Sequence, residues 1–414
     1  MSSAVPSPVP IAPATAAPRC MGLDEALARI SSRARELDGA PRLPGENLDD
    51  LRAAGLLALP ADRAKARLRE EIALVRAVAR ADASTARIFD GHLNGVERLT
   101  LGAPGALREA ELARVAAGKL LLGVWGADPA PGEGEPAQVL RGENGSLVLR
   151  GVKTFCSGAG GVQRALIVAR EGGEPVDSAP IADGGEKRPP ASSEMSSLGE
   201  RRSGLVGERR SDPAAPPGVR RLVYVDTSEG VRIDRTWYRA SGLRSSESHR
   251  VVFVDTPVLA LLGGENELAR QPFFARDGVR TAATWAGIAD GVFAAAASAL
   301  GEREPDAHQL GALGRMRVAR ETIDRWLEYA GTRLEDEDAA DPAGLATACR
   351  AAIIVASRTI AEEAARACGA RSLIAGGELD RGRRDLDLFV LQHRLEPQLA
   401  KLGRSTLDVA AGAG

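Results

Sequence analysis

Aromatic residues are scarce in this chain: seven Phe, four Trp and three Tyr amount to 3% of 414 residues. A core dominated by stacked rings is therefore excluded, and packing must come from aliphatic and small side chains within a hydrophobic share of 44%. Neither sign of charge is in excess, with 54 Lys and Arg against 56 Asp and Glu. Without a basic surplus there is little to release counterions from a phosphate backbone, which argues against a nucleic-acid partner. Cys20, Cys156, Cys349 and Cys368 are far apart and show no Cys/His metal spacing, so a reduced, cytoplasmic protein without a metal is expected. No unbroken run of about 18 uncharged apolar residues occurs, so no membrane span is expected. Residues 1–20 lack the early basic residue and continuous apolar core of a secretory signal.

What is abundant is Gly (46) and Pro (24), unevenly spread. Twelve of the 24 prolines fall in residues 1–20 and 171–219, and neither segment holds an aromatic residue. The first reads as a disordered tail. The second reads as a solvated, low-complexity insert carrying Gly-Glu-Arg-Arg-Ser twice, at Gly199–Ser203 and Gly207–Ser211.

The rest divides by hydrophobic period. Residues 21–118 read as helical: Leu51, Leu56, Leu57 and Leu59 surround Gly55, and Ile72, Val75 and Val78 recur at helical spacing. Over 119–260 the period is two, with strands expected at Leu120–Val124, Val139–Leu140, Leu147–Leu149, Val152–Phe155, Ala165–Ala169, Leu222–Val225 and Val251–Val254. Asn144-Gly145 is a hairpin turn signal, and the module is expected to be mostly antiparallel and to end near Pro257. Over 265–412 helical periodicity returns. Met316, Ile323, Trp326, Ala330 and Leu334 share one face, and a run from Pro342 to Gly369 opens on Pro and closes on Gly. The expected class is α+β: an N-terminal α-helical domain, a central antiparallel β-barrel domain and a C-terminal four-helix bundle.

Four local sequences in this order resemble the acyl-CoA dehydrogenase superfamily. Gly151–Gly160 resembles its segment beside the flavin ring. Ser241–Pro257 resembles the segment that closes its β domain. Asp380–Asp385 resembles the Glu-Arg-x-Tyr-Arg-Asp signature of its last helices, and Pro44–Leu57 is similar to its first helix pair. The resemblance runs from about residue 23 to 412, excepting the insert. It implies a flavin between the β domain and the C-terminal bundle, and a homodimer or homotetramer. It places Ser157 at flavin N5, with Phe155 packing on the ring and Gly158 and Trp125 as further flavin neighbours. A turn hydroxyl and a core Trp are the plain alternatives for Ser157 and Trp125.

The sequence departs from the dehydrogenase pattern at the base. The expected Glu, eight residues after Arg-Asp, is replaced by His393, and Glu396 is not a substitute. A His there resembles the flavin-dependent monooxygenase branch, of the dibenzothiophene monooxygenase and hydroxyphenylacetate hydroxylase type. That branch carries a second His late in the first helical domain, matched by His92, and a Ser at the position of Ser157. An imidazole can donate to a flavin–oxygen adduct or take a substrate proton near neutral pH, whereas an ionised Glu only accepts. A satisfied core histidine is the alternative for both. His249, beside Arg250, is expected at the surface, and His308 in a loop or helix start.

The Thr-Glu-Pro loop of the family is replaced by Gly123–Pro129. The Arg and Phe-Gly that grip the flavin pyrophosphate are missing, with Gly301–Pro305 in that region. FAD, FMN, or a flavin delivered already reduced by a separate reductase remain open. The resemblance implies a monooxygenase acting on a small organic substrate. The alternatives are an acyl-CoA dehydrogenase with a non-Glu or relocated base, and a non-catalytic member that has lost its flavin.

Overall fold

The computed structural model describes residues 21–58, 68–142, 145–172, 219–374 and 376–412. The tail with Cys20, Leu59, Asn144 and the Gly-Glu-Arg-Arg-Ser pair lie outside these residues.

Five helices come first: α1 (Leu23–Gly39), α2 (Gly45–Ala53), α3 (Leu68–Ala81), α4 (Ala83–Gly102) and α5 (Gly105–Ala116). Ile72, Val75, Val78 and Ala79 bury one stripe of α3. Asp82 breaks the chain between α3 and α4 by capping α4, its carboxylate accepting from the Thr85 N–H at 2.7 Å.

Among the described residues seven strands follow: β1 (Leu122–Trp125), β2 (Gln138–Arg141), β3 (Leu147–Cys156), β4 (Arg164–Glu171), β5 (Arg220–Asp226), β6 (Val231–Asp234) and β7 (His249–Leu262). The ring β4–β2–β3–β7–β5 closes on itself through the β4–β5 ladder, a five-stranded barrel. It is not wholly antiparallel. β1 and β2 dock in turn on the same edge of β4, both parallel to it: β1 ends opposite Ile167, and β2 takes up the edge further on, opposite Arg170. β7 also outlasts the expected end at Pro257. That proline faces Val148 of β3 and the next residue, Val258, faces Val225 of β5, so its missing N–H falls where the ladder changes partner.

The chain ends in α6 (Phe273–Gly301), α7 (Ala307–Leu334), α8 (Pro342–Cys368), α9 (Glu378–Gln392) and α10 (Glu396–Gly412). α8 has the anticipated ends, Pro342 after the capping Asp341 and Gly369 as C-cap at φ 74°. At ~1.5 Å per residue it is about 40 Å long. α6 packs against α7, α8 and α9, and α3 packs on α6 as well, so the first and last helices share a core. Small residues permit this approach: a Cβ on Gly287 of α6 would lie 2.2 Å from the Arg76 carbonyl oxygen of α3. By length and composition alone, α6 and α8 are apolar enough to cross a membrane, a feature the unbroken-run criterion missed. Both pack in this structure against neighbouring helices. Cys156, Cys349 and Cys368 are free thiols.

Where aromatic bulk is lacking, the centre of the helical layer is ionic. Arg98, Arg276 and Arg280 are each at most 2% exposed. Arg280 donates to Glu71 at 2.7 Å, Glu97 at 2.9 Å and Asp277 at 3.2 Å. Arg276 reaches Glu97 at 3.3 Å and the Leu334 carbonyl at 2.7 Å, and Arg98 reaches Asp277 at 2.5 Å. Removing one member of a buried pair strands its partners, at about 3–5 kcal/mol. Arg280→Met is accordingly expected to lower the urea unfolding free energy by about that amount, and a loss below ~1 kcal/mol would show the lattice to be dispensable.

Candidate functional site

A cavity of about 640 Å³ opens between α4, α6, α8 and α10, within the ~300–1,000 Å³ common for ligand pockets. Arg87 and Asn94 of α4, Val124 of β1, Asp277 of α6 and Arg350 of α8 line it, together with His393. His393 stands in the break after α9, where the helix ends at Gln392 and α10 begins at Glu396. Its imidazole packs against Trp285 (centroids 5.8 Å apart) and Phe389 (5.4 Å). Burial holds its pKa well below the usual value, and the nearby cations Arg350 and Arg87 depress it further. The imidazole is thus neutral near pH 7, able to donate from one nitrogen and accept at the other.

His92 lies elsewhere. It is fully buried in α4, with Nε2 3.1 Å from the Leu57 carbonyl and Nδ1 accepting from the Leu122 N–H at 3.2 Å. The acceptor role of Nδ1 places the proton on Nε2, which donates to Leu57. His92 thereby clasps the turn after α2 and the start of β1 to α4, and both ring nitrogens meet backbone.

Ser157 heads a chain of hydroxyls inside the barrel end. Its Oγ is 2.9 Å from Ser248 Oγ, which is 2.7 Å from Ser246 Oγ, which donates to the Tyr238 hydroxyl at 3.4 Å. Tyr238 in turn donates to the Leu243 carbonyl at 3.2 Å. Because a carbonyl can only accept, the direction propagates: Ser246 donates to Tyr238, Ser248 to Ser246 and Ser157 to Ser248. The lone pairs of Ser157 are left to accept.

The other residues at this end divide by exposure. Phe155 sits at a bulge in β3 with φ 51°, 39% exposed, edge-on to Trp237 at 5.0 Å. Trp125 is enclosed in the barrel beside Phe253 and donates its indole N–H to the Ser157 carbonyl at 3.0 Å. Gly158 has φ 74°, and a Cβ there would meet Val162 at 3.0 Å and Ile88 at 3.3 Å, so it serves the fit of the turn against α4. None of Ser157, Phe155, Trp125, Gly158 or His92 is among the residues lining the cavity around His393. His308 is in the exposed first turn of α7. His249 corrects the surface expectation: it is 5% exposed, its Nε2 3.1 Å from the Glu247 carboxylate, because β7 begins inside the barrel end.

Three groups escaped the sequence reading. Tyr238 has no motif of its own. Arg350 did leave a signal, since the residues one helical turn either side, Ala346, Thr347, Ile353 and Ile354, offer it no carboxylate. Asp385 was read only as part of a signature. It is buried and accepts from the Leu243 N–H at 2.6 Å, while Arg384 pairs with Asp38 at 2.7 Å, so α9 is pinned to the segment that leads into β7 and to α1. Burial raises the Asp385 carboxyl to about 7; the Leu243 N–H opposes that rise and Asp82 adds to it.

No family model matches this chain, and no curated protein does. Solved structures do. FMN-bound TdsC from Paenibacillus sp. A11-2 superposes with a TM-score of 0.74 at 18% identity, over 93% of this chain and 97% of that one. TdsC is described as a dibenzothiophene monooxygenase. Methanesulfinate monooxygenase MsuC from Pseudomonas fluorescens gives 0.71 at 22% identity, over 93% and 96%. A nitrososynthase from Micromonospora carbonacea var. africana gives 0.69 at 20% identity, over 89% and 90%. The chain shares their acyl-CoA dehydrogenase-like fold.

Two outcomes test this geometry. His92→Ala strands the Leu57 carbonyl and the Leu122 N–H and should cost about 1–3 kcal/mol of stability, while nitrogen NMR of the wild type should show the proton on Nε2. For Asp385, the native pKa of about 7 lies above that of an unfolded Asp, so the native state holds more protons between them. Its contribution to stability is therefore present at low pH and lost as pH rises from about 4 to about 7. Asp385→Asn, which keeps the acceptor for Leu243, should flatten that decline in urea midpoints; an unchanged slope would contradict the assignment.

Proposed function

We propose that this chain is a flavin-dependent monooxygenase that uses reduced flavin and O2 on a small organic substrate. The observation that carries the reading is the neutral imidazole of His393 in the cavity wall, where a dehydrogenase would present a carboxylate. The residues fit a flavin in two respects. Phe155 is held in a left-handed backbone conformation that exposes its ring, a strain that functional sites often store. Arg350 offers a buried donor without a partner among the described residues.

Flavin, when bound in its reduced form, supplies the two electrons that leave one oxygen atom in the product and the other in water. The chain does the rest. His393 holds a donor toward the oxygen and an acceptor toward a substrate proton, contacts that strengthen when a bound substrate excludes water. Ser157 presents an acceptor, which matches N5 only when that nitrogen carries hydrogen, as in the reduced ring. We assign His393 in the cavity wall to the substrate, and Ser157 and Phe155, which lie outside that lining at the barrel end, to the flavin, with His92, Trp125 and Gly158 as scaffold. FMN, the flavin bound by TdsC, is the proposed cofactor over FAD, delivered reduced by a separate reductase. The proposed setting is cytoplasmic. The exposed Val318, Tyr329 and Val355 on α7 and α8 support a homodimer or homotetramer.

Anaerobic titration with reduced FMN, followed by mixing with oxygenated buffer, tests the function. A transient flavin–oxygen absorbance is expected, and His393→Ala should shorten its lifetime by about 10²-fold or more. Bleaching of oxidised flavin by an acyl-CoA without a reductase would favour dehydrogenation, with Asp277, which burial raises to about 6, as a carboxylate of the cavity lining. Absence of flavin binding in any redox state would leave a non-catalytic member. Selectivity is the second readout: Ser248→Ala frees the Ser157 hydroxyl to rotate and donate, and should narrow the preference for reduced over oxidised FMN.

A further inference from the structure

We infer that the cavity beside His393 is an oxyanion site, with Arg350 as the residue that grips a carboxylate, sulfinate or phosphate group of the ligand. This deepens the monooxygenase reading by naming a chemical class of ligand, and it rests on that cavity being the ligand site.

Arg350 differs from every other arginine around the cavity. Arg98, Arg276 and Arg280 each meet a buried carboxylate, and Arg87 meets Asp90 at 3.1 Å. Arg350 makes no ion pair or hydrogen bond among the described residues, and its Nε is buried without a partner. Its guanidinium lies over the Trp285 ring, 5.4 Å from the centroid, which fixes the plane of the fork while leaving its hydrogen-bonding edge free. Burial lowers its pKa to about 10, the mark of a cation taken out of water without a counter-ion. The indole N–H of Trp285 is a second buried donor without a partner.

The acids in the lining do not supply the missing charge. Asp277 is held by Arg98 and Arg280, and Asp341 spends its carboxylate capping α8, accepting from the Gly344 N–H at 2.9 Å. Lys401 of α10 adds a third cation to the lining, after Arg350 and the Asp90-paired Arg87. A half-buried, unpaired guanidinium is costly, and an incoming oxyanion removes that cost while making charge-assisted, two-pronged hydrogen bonds. Two ligands could bring such a group: an acidic organic substrate, or the phosphate of FMN. The position next to His393 favours the substrate.

Calorimetric binding to the full chain separates these. Benzoate is compared with the isosteric neutral benzamide, and FMN with riboflavin, in wild type, Arg350→Met and Arg350→Lys. In wild type the anion is expected to bind about ten-fold or more tighter than its neutral partner in at least one pair. That preference should collapse in Arg350→Met and partly survive in Arg350→Lys. Collapse in the benzoate pair assigns the site to the substrate; collapse in the FMN pair assigns it to the cofactor. No anion preference in wild type, or a preference kept by a folded Arg350→Met, overturns the proposal. If Arg350→Met does not fold, Arg350→Lys decides: an anion preference undiminished there also overturns it. If neither flavin binds in any redox state while the benzoate preference still depends on Arg350, the oxyanion site stands and the flavin reading falls.

Discussion

The rotation of α6 about its own axis is the constraint on which the rest of the molecule depends, and the buried ion lattice sets it. Arg276 and Arg280 point from α6 into carboxylates of α3 and α4, and a guanidinium with two or three fixed acceptors tolerates little rotation. With that face locked, Asp277, Gly278 and Thr281 turn to the cavity and Trp285 lies under Arg350. A purely aliphatic contact would let small residues slide past one another. The ionic centre therefore supplies the uniqueness that a ring-poor core cannot.

The fold was legible where local chemistry is strong. The ends of α8 follow from Pro342 and Gly369, and the strands follow from period-two apolar runs. Strand direction was not legible, because β1 and β2 take their parallel partner, β4, from residues some 30–40 positions away. β6 was missed because Val231–Asp234 carries only two apolar residues and is partly exposed. His393 drew attention in the sequence by its offset after Asp385, and it lines the cavity. The separation of His92 from His393 was not legible, since nothing in the helical pattern of α4 reveals that Leu57 and Leu122 will meet the His92 imidazole. His249 failed for the reverse reason: a neighbouring Arg suggested surface, while the barrel end encloses it.

The segment Ser241–His249 joins these levels. Its hydroxyls orient Ser157, its Leu243 N–H binds Asp385 of α9, and its Ser245 Oγ donates to the Leu37 carbonyl of α1 at 2.7 Å. Left-handed backbone at Leu243 and Glu247 lets so short a stretch face three directions. The helices before the barrel, the helices after it and the hydroxyl chain inside it are thus registered through one loop.

The paired ends of β4 and β5 carry a different message. Arg170 and Arg220 are directly paired across the two strands, and the ladder from there to Arg164 and Asp226 is closed by these two strands alone. An antiparallel pair of this kind needs only a two-residue reversal. The barrel is in this sense modular at that edge: strand order and the β4–β5 register are set by residues 164–170 and 220–226 and do not depend on how many residues separate them in sequence.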